Sequence, residues 1–558
     1  MSLPRRLRPL LALPIALAFA GSARAAVLLG PVIDGPSPDI LSVAGVAISH
    51  YSTGGVAYLK NIGGVAHAFV SVVNGGFGAP LQIDGGLPGA SSDLQIAAGD
   101  SGRLAAVFVN GGSLYAAVKP SASGSFLAPR LIAPAAESPS LGMASDGTAY
   151  AAFVTGGAGD HQVQVARLDM TGDAFASSFP QSLNANVSDD AGATPATAPR
   201  IYVASDGGAL VAWGELESDG YTHLVVRRVE SGGPDPNWQD LTLPALDGEP
   251  GGSAGEPALA TTDVLDFGWV AFQQTFYENG TPIPRVLVRQ MLGESFGLPI
   301  AIDNLAFPTT DGAATPSVGL DMNGDGLTLA QTTQSHQVVA GIIKGPTHIQ
   351  AAALLSGTAL VQGAGDAIAP QPALALGYDD SGAVAWLQSS TPTGPVAVTA
   401  RALASGAFTT QGTMSNAQYG SVDPAAGLAG GADRHGAAVF AFVEQGPQGR
   451  TLLLGVSVNP PSAFEVIARH AYTSAHPTLH WQPSSSDYGI AEYKVVIDGA
   501  TVGTTTRTSF VPSGRIPAGT HRLTVIAVDR FGQSTSSDTV PLRIQLHPRR
   551  PARRTVKR

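Results

Sequence analysis

Residues Pro199 to Leu243 read PRIYVASDGGALVAWGELESDGYTHLVVRRVESGGPDPNWQDLTL. Four short runs stand out: Ile201 to Ala204, Ala209 to Trp213, His223 to Val229 and Trp238 to Leu243. Each is rich in Val, Leu or aromatic residues and is bounded by Gly, Pro or Asp, the pattern of strands joined by turns. The first two are separated by Ser205-Asp206-Gly207-Gly208, a tight hairpin signal.

The same unit recurs along the chain. Gly-bearing turns between first and second strands fall at Gly55, Gly102, Gly147, Gly207, Gly268, Gly326, Gly382 and Gly436, spaced by 45 to 61 residues. An aromatic opens the fourth strand in seven units, at Phe77, Phe126, Phe175, Trp238, Phe296, Phe408 and Phe464, with Ile349 in the sixth unit. Four strands per repeat with no helical stretch between them predicts an all-β β-propeller over residues 27–467. Eight four-stranded blades are expected. Seven is the alternative, with the first repeat supplying only a closing strand. In a four-stranded meander the 1–2 and 3–4 turns share one face. The 2–3 loops and the crossings to the next blade share the other. The long connections, Gly214 to Thr222, Pro244 to Glu256, Gln273 to Pro284 and Asp303 to Thr315, all fall on the second face, which makes it the expected binding side.

Residues 1–25 read as a secretory leader: Arg5, Arg6 and Arg8, an apolar run from Leu10 to Ala20, then Ala23-Arg24-Ala25. The apolar run is too short to span a bilayer, and no later segment is a transmembrane candidate. A secreted chain with no cysteine at all must rely on core burial and sheet pairing, and it has no thiol chemistry. Removing the leader's four Arg and the six Lys/Arg of residues 547–558 takes the formal charge from −11 to near −21. Such an acidic body argues against a nucleic-acid partner. The basic tail, 547–558, lacks a core-forming pattern and is expected to be disordered. It offers contact to anionic wall polymers through several weak charge pairs.

From Pro461 the pattern changes. Residues 468–546 contain TLHWQ (Thr478 to Gln482), AEYKVVID (Ala491 to Asp498) and HRLTVIAVD (His521 to Asp529), alternating strands of a small β-sandwich. The order P-x-L-x-W, Y-x-V-x-I-D-G and A-x-D-x-x-G-Q resembles bacterial immunoglobulin-like and fibronectin type III modules. The resemblance implies Trp481 as core tryptophan and a spacer or adhesive role on a secreted surface protein.

Chemistry-bearing motifs are few. Gly251 to Gly255 fits G-x-S-x-G, but a nucleophile elbow needs a strand before it and a helix after it, so a Gly-rich crossing is expected. Asp321, Asn323 and Asp325 begin like a calcium loop and then lack the later carboxylate. A hairpin turn is the first reading there and weak calcium binding the alternative, the single cofactor considered. His470, His476 and His480 lack a positioned fourth zinc ligand. On the long-loop face, Glu215, Glu217, Asp219 and Tyr221 of the fourth repeat lie beside Tyr277 and Glu278 of the fifth. Carboxylates next to aromatic platforms suit a glycan or cation. With no complete catalytic constellation, the expectation is a secreted or cell-surface protein that binds an extracellular protein or glycan. An extracellular polysaccharide-active enzyme, hydrolase or lyase, is the alternative and would need two placed carboxylates. A structural envelope component is the third reading.

Overall fold

A computed structural model describes residues 26–546, apart from 177–179, 186–189, 303–311, 346–347, 357–370, 379, 390, 392–393, 405 and 468, and gives only the backbone of 351–354. The leader and the basic tail lie outside the described residues. Eight antiparallel sheets follow one another in chain order. The first strands of neighbouring sheets pack against each other all the way round, the eighth meeting the first. The ring is closed and has eight blades.

Blade 1 shows the plan: Ile40–Ile48, Thr53–Ile62, Val65–Asn74 and Leu81–Gln82, from the axis outwards. The first repeat is therefore a full blade. Closure is made by what precedes it. Ala26–Ser37 pairs antiparallel with Gly449–Val458, Ala26 opposite Val458 and Leu29 opposite Gly455, and so supplies the outer strand of blade 8. Phe464, expected to open that strand, is buried in the C-terminal module instead. Joining the chain's beginning to its last blade closes the ring through strand hydrogen bonds.

Second strands are buried on both faces because a neighbouring blade covers each side. Ala149–Thr155 is buried through Val154, which explains its unbroken apolar run. Large side chains then fill the space between blades. Trp269 of blade 5 packs with Ala313, Ala330 and Ile343 of blade 6, and Trp386 of blade 7 packs with Leu327 and Leu329 of blade 6. Near the axis, Asp93, Ser138, Glu256 and Thr315 hold left-handed φ values of 48°, 51°, 51° and 53°. Each sits where first-to-second strand pairing slips. These bulges bend the inner strands where the ring is tightest.

The C-terminal module is also all-β. Ala500–Thr505, Ile490–Ile497, Gly519–Asp529 and Ser534–Ser536 form one sheet, with Val540–Ile544 also on Gly519–Asp529. Leu479–His480 and Ser509–Phe510 form a second. Trp481 is buried with Tyr493, Val525 and Leu542. The module does not hang free. Tyr488 is 1% exposed, donates its hydroxyl to the Ala437 carbonyl at 3.0 Å, and packs on Phe77 and Phe531 with centroids 5.9 and 5.7 Å away. Gln533 adds a bond to the Val458 carbonyl at 3.1 Å. The module is thus seated on blades 8 and 1 rather than held off as a spacer.

Candidate functional site

The 1–2 turns are short and nearly uniform: residues 49–52, then 99–103, 144–148, 204–208, 262–266, 321–325, 377–381 and 433–437. Gly99, Ala144, Ala204, Asp321, Gly377 and Asp433 each donate a backbone bond to the residue four further on, at 2.7–3.3 Å. In seven of the eight turns the second residue faces the central channel. The second residues are His50, Asp100, Ser145, Ser205, Asp263, Met322, Tyr378 and Arg434. Neighbouring turns are stitched together, Asp100 N to Ser145 O at 2.9 Å, Tyr378 N to Arg434 O at 2.8 Å and Arg434 N to His50 O at 3.4 Å.

All but Arg434 line one cavity of about 330 Å³ at this end of the central channel. Beneath the ring the walls turn apolar, with Val46, Ile96, Leu141, Ile201 and Leu320. Arg434 points away, its guanidinium 4.8 Å from the Tyr51 ring centroid.

A hydrogen-bonded chain crosses this mouth. Asp100 holds His50 through the backbone N–H at 3.0 Å and through Nδ1 at 2.9 Å. The Tyr378 hydroxyl meets the His50 ring, with ring centroids 4.3 Å apart, and lies near Ser205. Ser205 in turn donates to Asp263 Oδ1 at 3.2 Å. Five blades contribute to one polar thread. Burial, reinforced by Asp263, raises the Tyr378 hydroxyl above its ordinary range, with Ser205 opposing. Burial and the same Asp263 push Tyr202 up to about 12. Both phenols stay protonated. The seated module lies on the same face. Its Asp487 is pushed up to about 6, by burial first and then by Asp433, with His435 opposing.

The residues expected to form a site on the other face are only partly brought together. Asp219 and Tyr221 line a cavity of about 290 Å³ with His223, Asp240 and Gly252. Tyr277 closes its edge, since a Cβ on Gly252 would lie 2.9 Å from the Tyr277 ring. Here His223 is clamped, Nδ1 to Asp240 at 2.7 Å and Nε2 to Asp219 at 3.1 Å. Its burial disfavours charge, yet these two carboxylates carry its pKa above the ordinary value. Glu217 sits in the adjoining turn, bonded through its backbone to Tyr221 and Gly220. Glu278 faces a separate cavity of about 350 Å³ shared with Thr333 and Gln334.

Glu215 is a correction. It is fully buried and accepts from Trp213 Nε1 at 2.9 Å and from Ala185 N at 3.1 Å. The position recurs two residues after the second-strand aromatic. Asn110 bonds Gly89, Gln274 bonds Leu243 and Glu444 bonds Asn416, each tying down the segment entering its blade. Glu215 is a structural latch and not a ligand carboxylate. The supposed loop Gln273 to Pro284 is likewise mostly strand, a long hairpin turning at Asn279-Gly280.

Asp321, Asn323 and Asp325 also part company. Asp321 Oδ1 accepts the amides of Asn323 and Asp325 at 2.8 and 3.0 Å, while Asp325 pairs with Lys344 at 3.1 Å. The calcium alternative loses its geometry because a lysine occupies one carboxylate and the turn backbone another. Among the described residues no three His, Cys, Asp or Glu side chains are grouped to hold a metal, the histidines of the module included.

No family model and no curated protein matches the chain. Solved structures do resemble it. The Dos1 propeller aligns with 76% of this chain and 94% of its own at 10% identity and a TM-score of 0.45. The β-propeller domain of the trilobed protease from Pyrococcus furiosus aligns over 68% and 98% at 9% identity, TM-score 0.39. The polysaccharide lyase Uly1 aligns over 78% and 97% at 10% identity, TM-score 0.42. The fold itself rests on the closed ring of sheets.

Chemically, the channel mouth offers donors and acceptors from several rigid turns above an apolar floor, the usual composition of a small-ligand site. Sequence reading missed it because each residue is single in its turn. Counting each turn from the end of its first strand exposes the signal: the second position runs His, Asp, Ser, Ser, Asp, Met, Tyr, Arg, while its surroundings stay turn-like.

Proposed function

We propose that this chain is a secreted or cell-surface binding protein that takes the end of an extracellular glycan or protein into the mouth of the propeller's channel. The observation that carries the reading is the convergence of seven turns on one cavity of about 330 Å³ with polar rim and apolar floor. Rigid turns cost little to order on binding. The leader-like residues 1–25 support export, no helix among the described residues is long and apolar enough to cross a membrane, and the module resembles those of surface proteins. An enzymatic reading, a polysaccharide-active hydrolase or lyase, is favoured by the Asp100–His50–Tyr378 chain, which has the donor–acceptor order of an acid–base relay. A glycan and cell-wall-fraction binding screen, with assay for released sugar, separates the two. Retention without product, abolished by Tyr378→Ala, supports binding. Sugar release lost in His50→Ala makes the chain an enzyme.

A further inference from the structure

The charges around the channel mouth go further than its shape. Asp100, Asp263 and Asp321 line the cavity, and among the described residues no Lys or Arg does. Asp100 spends both oxygens on His50. Asp321 uses Oδ1 to cap its own turn. Asp263 accepts a bond from Ser205 on Oδ1, and it stands close enough to Tyr378 and Tyr202 to act on both phenols. Asp263, with Oδ1 engaged by Ser205, thus shares one cavity wall with Tyr202 and Tyr378, above an apolar floor. The basic residue nearest in register, Arg434, is drawn off onto Tyr51.

We propose that the mouth binds a primary ammonium group, seated between Asp263 and the rings of Tyr202 and Tyr378. A carboxylate supplies a charge-assisted bond to an N–H donor, and aromatic faces attract a cation through their quadrupole. The apolar floor lowers the local dielectric and strengthens both. An anionic sugar would meet three carboxylates with only His50 to answer them. The inference rests on the channel mouth being the binding site and adds the chemistry of the ligand. The amine of an amino sugar and a lysine side chain both supply such a group outside the cell, and the probes distinguish them.

The test is calorimetric titration of the full chain at low salt with glucosamine, glucose, glucuronate, Nα-acetyl-lysine amide and Nα-acetyl-norleucine amide. The expected result is binding by one amine or both, weaker by at least about tenfold for its neutral counterpart, and undetectable for glucuronate. Asp263→Asn should weaken the amine by about tenfold with unchanged circular dichroism, Asp263→Glu should partly restore it, and added salt should weaken it. Glucosamine alone identifies an amino sugar, and the lysine derivative alone a polypeptide. Glucose binding as tightly as glucosamine, or glucuronate binding best, overturns the ammonium assignment while leaving a channel-mouth site. Failure of both amines overturns it as well. The binding reading then stands or falls separately, by whether wall-fraction retention depends on Tyr378.

Discussion

The two faces of the disc are built on opposite plans. One carries uniform short turns that lean on one another around the axis. The other carries connections of unequal length, from the Gly63-Gly64 hairpin of blade 1 to the 12-residue strands that project from blade 5. The variable face has the more conspicuous acids, yet one of them, Glu215, is spent on holding backbone. On the uniform face, side chains from seven different turns meet in one cavity. Repetition positions a site more firmly than loop length does. When a scaffold is cyclic, one residue per repeat suffices to compose a ring.

Breaking that comparison begins with Glu215 and Asp219, four residues apart. Glu215→Ala should lower unfolding free energy by about 3 kcal/mol, because Trp213 and Ala185 lose a buried partner. Asp219→Ala should leave stability close to that of the parent chain, as expected of an exposed pair. Urea unfolding of the two variants checks both, and equal costs would contradict the assignment. The uniform face is next. Tyr488→Phe removes the bond to Ala437 and should cost about 1–2 kcal/mol, seen as earlier proteolytic release of the module with the propeller intact.

The latch position yields a smaller, pH-dependent effect. Trp213 donates to Glu215, whereas Phe442 cannot donate to Glu444, whose Oε2 is buried without a partner. Burial pushes the Glu444 carboxyl up to about 7, with the Asn416 amide opposing. A raised folded-state pKa means the folded chain keeps a proton that the unfolded chain releases. Stability therefore falls as pH rises from the ordinary glutamate range through about 7. Glu444→Gln should flatten that fall and raise the melting temperature at pH 8 by about 2 °C, and an unchanged pH profile would contradict it. Smallest of all, His223→Ala should shift stability by less than about 1 kcal/mol, since its two ion pairs are half exposed.

Much of this was legible in the residues. Glycine spacing and paired apolar runs are local signals, so the eight blades and their turns could be read directly. The buried Trp481 followed from a motif. Closure by Ala26–Ser37 could not be read, because its partner Gly449–Val458 is more than four hundred residues away and strand pairing leaves no local mark. The role of Glu215 and the make-up of the channel mouth were hidden for a related reason. Glu215 looks solvent-facing beside Glu217 and Asp219, but its burial is set by Trp213 and Ala185. His50, Asp100, Ser205, Asp263 and Tyr378 lie far apart along the chain and become neighbours only when the ring closes. The seating of the module through Phe77, Tyr488 and Phe531 is equally non-local.

The most direct measurement compares the faces. Retention on cell-wall and glycan fractions is measured for the parent chain, for Asp263→Asn/Tyr378→Phe, and for Asp219→Ala/Tyr221→Ala/Tyr277→Ala. A site at the channel mouth predicts loss of binding by at least about tenfold in the double variant and parent-like binding in the triple variant. Parent-like binding in the double variant with loss in the triple would place recognition on the variable face and contradict the account.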